Sequence, residues 1–308
     1  MLLRHGKILL LLLTVNSLML SAQYYNESVR VDSVYNYHQN NEDTIYIANT
    51  ITSLQDSDII LLHQAKGITY NYNTGSIAID YGFAGRFEIL LVLKRIGNKV
   101  IVRNVTRDAT NSFVPKGLQL VRVGRYTDIR TTKTISAPIQ AEPWNGEKGG
   151  ILCIIADTLK LYANISASGC GYRGAQPVNA STVVCWKNDS INVIKKNLPL
   201  SKIQWAGLKG ESVVDADTNY IRGYAPQYAG GGGGNGYHSG GGGGANYFPG
   251  GQGGYEALLC GVSPDTIGGR GGKGMGTGLL NGYGPVVTFG GGRGMQYPKK
   301  WILCHQRR

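Results

Sequence analysis

Two runs of five glycines, Gly230–Gly234 and Gly240–Gly244, flank the pentapeptide Asn235-Gly-Tyr-His-Ser239. A third cluster begins at Gly250, so the starts are ten residues apart. Ordering a backbone residue costs about 1–2 kcal/mol, and glycine loses the most freedom. Fifteen ordered glycines therefore oppose folding by roughly 15–30 kcal/mol. A net hydrogen bond returns only about 0.5–1.5 kcal/mol. The segment is either a flexible tether or a structure in which bare backbones pack closely. Linkers mix serine into glycine, whereas these runs are pure and evenly spaced. Aromatic residues lie between and beyond them, at Tyr228, Tyr237, Tyr247, Phe248, Tyr255 and Tyr283. Each can bury about 150–250 Å² against a flat glycine surface. The pattern predicts a glycine-rich domain of polyglycine-II-like packed strands, three residues per turn, each strand meeting its neighbours' amide groups.

Other glycine-based chemistries fail on particular residues. A phosphate-binding loop needs Gly, four spacers, then Gly-Lys-Ser/Thr. Here Gly272-Lys273 is followed by Gly274, and Ile267 stands five positions before Gly272. Arg270-Gly271-Gly272 is the only RGG tripeptide, which excludes an RNA-binding tail built on that repeat. Calcium-binding nonapeptide repeats need an aspartate in each repeat, and Asp215, Asp217 and Asp265 do not recur at that period.

The first 22 residues read as an address. Arg4 and Lys7 precede the apolar run that starts at Ile8, and Ser21-Ala22 forms a small-residue exit before Gln23. No later apolar segment reaches the length of a membrane span. The formal net charge is +12, but Arg4, Lys7, Arg293, Lys299, Lys300, Arg307 and Arg308 lie in terminal segments without acids. The +5 left for the body gives no reason to expect nucleic acid as a partner. The five cysteines form no CxxC pair, so neither a metal nor another cofactor is expected. Cys170 and Cys185 are the closest pair and a candidate disulfide in an exported chain.

Between the address and the glycine runs the texture is β. Ser57–Leu62, Gly67–Tyr70, Gly75–Asp80, Arg86–Leu93, Lys99–Arg103 and Leu118–Val123 read as β segments, with Gly97-Asn98 as a tight hairpin turn. Thr158–Ala167 alternates cleanly and predicts a half-buried strand with Leu159, Leu161, Ala163, Ile165 and Ala167 on one face. The apolar run Ile151–Ile155 is its expected stacking partner. No fixed-period repeat extends that pair into a regular solenoid. No segment after the address has sustained helical periodicity. The expected fold is all-β: residues 1–22 a signal peptide, 23–142 a small barrel or sandwich, 143–206 a β-strand layer, 207–294 the glycine-rich domain, and 295–308 a basic tail.

Several motifs in order, DSDIILLHQAKG (56–67), AGRFEILLVL (84–93), GLQLVRVGRY (117–126), PWNGEKGGIL (143–152) and LYANISASGCGYRGA (161–175), precede the glycine blocks. In this order the chain resembles exported glycine-rich cell-surface proteins, adhesin-like, of Bacteroidetes-type bacteria. The resemblance implies a secreted or surface location and a C-terminal sorting domain. The segment Gly294–Arg308 does not read as one, which makes a truncated or frame-shifted reading frame the expectation. It brings no catalytic residues. His38, His63, His238 and His305 form no recognisable triad, no GxSxG or HExxH occurs, and Asp56 and Asp58 read as loop acids that face solvent or turn the chain. The expected function is a structural or adhesion module without catalysis. The alternative is a glycan- or protein-binding module of a larger extracellular assembly, and a secreted hydrolase ranks behind both. The expected partners are extracellular glycans or other surface proteins, with Tyr70, Tyr72 and Tyr81 as contact candidates, although packing at a sheet edge is the first role expected of them. Triplets such as Asp157-Thr158-Leu159 and Asp189-Ser190-Ile191 resemble an O-glycosylation signal of the same bacteria.

Overall fold

A computed structural model describes residues 24–37, 42–67, 70–71, 76–77, 84–104, 113–176, 207–214, 221–223, 225–234, 240–246, 248–254 and 268–274. The described chain is essentially all-β; its one helical element is a single 3₁₀ turn, Asp128–Arg130. Six antiparallel strands close a barrel: β1 (Ser28–Tyr37), β2 (Glu42–Ile47), β3 (Asp58–Gln64), β6 (Phe87–Ile96), β7 (Lys99–Asn104) and β8 (Leu118–Arg125). Their order around the barrel is β1-β2-β7-β6-β3-β8. Between β3 and β6 lies a short hairpin, β4 (Tyr70–Asn71) with β5 (Ser76–Ile77). Strands β6 and β7 are joined through Gly97-Asn98, with Ile96 paired to Lys99 and Gly97 at φ +59°. Glycine at the first central position supplies the positive φ of a twist-matched two-residue turn. Irregularities at Val31/Ser33, Ile59/Ile60 and Val92/Lys94 add the local bending a narrow barrel requires.

The barrel interior is aliphatic. Val29, Val31, Ile45, Ile47, Ile60, Leu62, Leu90, Val92, Val100, Val102, Leu118 and Leu120 fill it, and Ile51 and Leu54 join the cluster. These residues alternate along their strands, as inward-facing positions must. Strand β3 departs from alternation because all seven of its residues are buried. Ile60 and Leu62 face the interior cluster, whereas Ile59 and Leu61 belong to a second cluster outside the barrel. That second cluster contains Val121 and Val123 of β8, then Trp144, Ile151, Tyr172, Val213, Val214, Tyr228, Ala229 and Ala245. The continuous apolar run in β3 is thus a strand covered on both sides.

Residues 132–166 form a parallel stack. Strand β9 (Thr132–Ile135) pairs with β11 (Thr158–Leu161), and β10 (Ile139–Gln140) pairs with β12 (Ile165–Ser166). Thr132 meets Thr158 and Ile139 meets Ile165, a shared offset of 26 residues. This corrects two sequence expectations. The parallel partner of the 158 strand is 132–135, and Ile151–Ile155 forms no strand. The 158–167 stretch breaks at residues 162–164, and β11 is exposed throughout, with Leu159 at 41% and Leu161 at 53%. Period-two alternation separates two faces but does not say that a neighbour covers either one.

The glycine-rich residues are joined by backbone hydrogen bonds between segments. Gly207 and Gly210 N–H donate to Gly234 and Gly231 carbonyls at 2.7 and 2.8 Å. Gly242 and Ala245 donate to Gly232 and Ala229, and Gly240 and Gly243 donate to Gly254 and Gly251. Gly250 and Gly253 donate to Gly272 and Gly269, which donate in turn to Gly243 and Gly240. In each pair the donors are three residues apart.

Candidate functional site

The predicted glycine positions can be placed individually. Gly230 to Gly234 are all buried, as are Gly240 and Gly242, while Gly241, Gly243 and Gly244 are half-buried. A Cβ placed at Gly231, Gly233, Gly242, Gly250, Gly269 or Gly272 would stand closer than 3.0 Å to a backbone carbonyl of another segment. Real Cβ atoms do not approach backbone that closely. The glycines of the inner runs are therefore required by close backbone approach. At Gly251 and Gly254 a Cβ would meet nothing within 4 Å, which marks segment 250–254 as an outer member of the assembly. Of the aromatics read as anchors, Tyr228 is 3% exposed, whereas Phe248 is 75% exposed. It lies in the connection from one glycine segment to the next, where its carbonyl accepts the Asn246 N–H at 3.3 Å. Tyr237, Tyr247, Tyr255 and Tyr283 lie outside the described residues.

Further aromatic anchors come from outside the glycine-rich residues. Trp144 and Tyr172 meet edge-to-face, with centroids 5.9 Å apart. The Tyr172 hydroxyl donates to the Ala65 carbonyl at the end of β3. Lys66 Nζ lies 5.7 Å from the Trp144 ring centroid and pairs with Glu211. Glu211 also accepts from Arg173 through its backbone N–H at 3.1 Å and its Nε at 2.9 Å. Burial alone pushes the Glu211 carboxyl up. Hydrogen bonds from Arg173 and Lys66 and the Lys66 charge outweigh it, with a smaller contribution from Trp144, and hold the group at about 2. Burial, then the charge of Glu211, raises the Tyr172 phenol well above its ordinary range. Gly67 N–H donates to the Val213 carbonyl at 3.1 Å beside the cluster. One carboxylate thus ties the barrel, the following layer and the first glycine segment together. Residues 66 and 211 are far apart in sequence, so no local pattern announced this contact.

Two further buried polar groups brace the same wall. The Gln119 side chain donates to Gly149 O at 3.0 Å and accepts from Gly149 N at 2.7 Å, imitating a strand bridge. His63 is fully buried beside it, with Nδ1 3.3 Å from Gln119 Nε2. That position suits wall packing rather than proton transfer to a substrate. Lys209 is 9% exposed, and burial lowers its ammonium to about 8.

At the barrel end formed by the β2–β3 connection, the β6–β7 turn and the end of β8, Leu54, Gln55, Asp56, Arg95, Gly97 and Arg125 line an open cleft of about 550 Å³. Asp58 was read as a turn-forming loop acid. It is fully buried beneath this cleft, accepting from Gln55 N at 2.9 Å and from Arg122 Nε at 2.7 Å. Arg125 Nε stands 3.6 Å from the same carboxylate. Asp56, by contrast, is exposed and accepts the Arg95 backbone N–H at 2.8 Å.

Cys170 is buried, and its Sγ lies 3.3 Å from Ala141 O; Cys185, its candidate partner, lies outside the described residues. Burial pushes the Cys153 thiol up to about 11. His38, His238, His305, Tyr72 and Tyr81 also lie outside the described residues, and the side chain of Tyr70 does too. Among the described residues no group of three or more His, Cys, Asp or Glu side chains is placed to hold a metal ion, and no helix is long and apolar enough to cross a membrane. Comparison with known proteins finds no matching family model, no matching curated protein and no matching solved structure.

Proposed function

We propose that this chain is a secreted or cell-surface structural and adhesion module without catalytic activity, a rigid body in which polyglycine-II-like strands dock on a β-barrel. The observation that carries this reading is the burial of side-chain-free backbone at Gly230–Gly234, with inter-segment donors recurring every three residues. Three residues per turn is the period of that helix, and only glycine permits such approach. Such a body offers a protease few cleavable side chains, which suits an exposed location. The leading residues Met1 to Ala22 support export. The likeness to exported glycine-rich surface proteins supports the same location. Extracellular glycans or other surface proteins are the partners in this reading.

The test is adhesion of bacteria-sized beads coated with the purified chain to cultured cells, alongside a glycan array and a broad hydrolase panel. Saturable attachment without turnover is expected. Turnover of any panel substrate at enzymatic rates, or attachment no greater than that of uncoated beads, would contradict the proposal.

A further inference from the structure

We propose that the cleft at the barrel end binds an acidic sugar, holding the carboxylate of a uronic-acid-type residue on Arg95 and Arg125 and a ring hydroxyl on Asp56. The inference rests on the adhesion reading and gives it a ligand class and a location.

Arg95 is fixed in place before any ligand arrives. Its Nη1 donates to Ile51 O at 2.6 Å and to Leu54 O at 2.8 Å, and its Nε donates to Gly97 O at 3.1 Å. Those bonds consume three of the five guanidinium N–H groups, and the two on Nη2 have no protein acceptor among the described residues. Arg125 is fixed in the same manner, donating to Asp56 O at 3.1 Å and to the Gln55 side chain. A guanidinium already held by its neighbours loses little entropy on donating its remaining N–H groups to a carboxylate, and such charge-assisted bonds are stronger than neutral ones. Asp56 supplies the complementary group, because only one of its carboxylate oxygens takes the Arg95 backbone N–H. The lining thus presents donors and an acceptor together, with Leu54 buried at its base. That mixture suits a ligand bearing both a carboxylate and hydroxyls.

The backbone beneath the cleft is strained, a second observation pointing to the same place. Among the described residues, Ser57 is one of two non-glycine residues with positive φ, at +69°. It is held there by its N–H to Val92 O at 2.8 Å and by Tyr126 N–H to its own carbonyl at 2.9 Å. Strain of this kind costs about 1–3 kcal/mol and gathers where geometry must be fixed. An acidic peptide is the poorer fit: the six barrel strands are closed on one another, so they leave no free edge on which a peptide could lie.

The test uses the full chain and two probes, sodium D-glucuronate and its methyl ester, followed by saturation-transfer NMR and calorimetric titration. The ester keeps the ring and hydroxyls and removes the charge. Glucuronate is expected to bind saturably, and the ester at least about tenfold more weakly, since charge-assisted bonds exceed neutral ones by that margin. Gly97→Asn places a side chain at the cleft mouth while keeping the left-handed turn, which asparagine tolerates. It should remove glucuronate binding and leave the unfolding temperature nearly unchanged. Arg95→Lys should weaken the acid at least about tenfold and the ester much less. Equal binding of acid and ester, binding unaffected by Gly97→Asn, preference for an oligoglutamate peptide, or no binding of either sugar would each overturn the proposal. Bead adhesion retained by Gly97→Asn would separate failure of this site from failure of the adhesion reading.

Discussion

Replacing Gly242 with alanine is a one-methyl perturbation whose cost follows from the geometry. A Cβ at Gly242 would lie 2.7 Å from Gly269 O and closer still to the Arg270 carbonyl. Ordinary contact begins at 3.4 Å, so these carbonyls must retreat by 0.7 Å or more. The Arg270 carbonyl accepts the Gly232 N–H at 2.8 Å, and a retreat of that size breaks the bond. Leaving a buried amide unsatisfied costs about 1–3 kcal/mol. Overpacking adds about 1–3 kcal/mol. The alanine also stiffens the unfolded chain, which returns about 0.4–1 kcal/mol. The expected net loss is about 1–5 kcal/mol, a large fraction of a total stability of about 5–15 kcal/mol. At about 2–4 °C per kcal/mol the melting temperature falls by at least about 2 °C and up to about 20 °C. Gly251→Ala is the matched control. Nothing lies within 4 Å of its Cβ position and its φ is not left-handed, so it should be neutral or raise stability by about 0.4–1 kcal/mol. Calorimetric melting of both variants decides the matter. Unfolding of the two within about 1 °C of each other would refute the close-packing argument.

Three other perturbations probe the supports around that assembly. Glu211 is held at about 2, below its unfolded value near 4.3, so its stabilisation is fully present above that unfolded value and fades as pH falls towards 2. Urea midpoints at pH 7 and pH 3 should differ more for the native chain than for Glu211→Gln, and the variant should lose about 1–3 kcal/mol at pH 7. Lys209 is also lowered, to about 8, but there burial penalises the charged form, so folding gains as pH rises from 8 towards 10.5, and Lys209→Met should stabilise the chain at pH 7 and flatten that rise, as read by melting against pH. Gln119→Ala leaves both Gly149 backbone groups without their partner, and denaturant unfolding should record a loss of about 1–3 kcal/mol.

How far the fold was legible depended on whether its cause was local. The barrel strands at 58–64, 87–96 and 118–125 were readable because each carries a run of β-branched or leucine residues between turn signals. Gly97-Asn98 was readable because a two-residue hairpin needs the positive φ that glycine supplies. Strand β1 was overlooked as a discrete element, although Val29, Val31 and the residues between them alternate as a half-buried strand should. The exposure of Leu159 and Leu161 was not readable, because alternation is blind to what stacks on a face. Tertiary partnership was the least visible of all. Nothing near Lys66 foretells Glu211, and nothing near Asp58 foretells Arg122, because these pairs form only when distant strands and segments meet. The barrel-end cleft was missed for that reason. Arg95, Asp56 and Arg125 come from three separate stretches, and only the adjacency of Asp56 and Asp58 was visible in the sequence.

Residue-resolved hydrogen–deuterium exchange on the purified chain tests the central claim most directly. If side-chain-free segments satisfy one another's amides, then Gly232, Gly233, Gly242, Gly243 and Gly269 should exchange as slowly as the barrel amides of Ile60 and Leu120. Exchange of those five glycines at the rate of an unstructured peptide, with the barrel still protected, would contradict it.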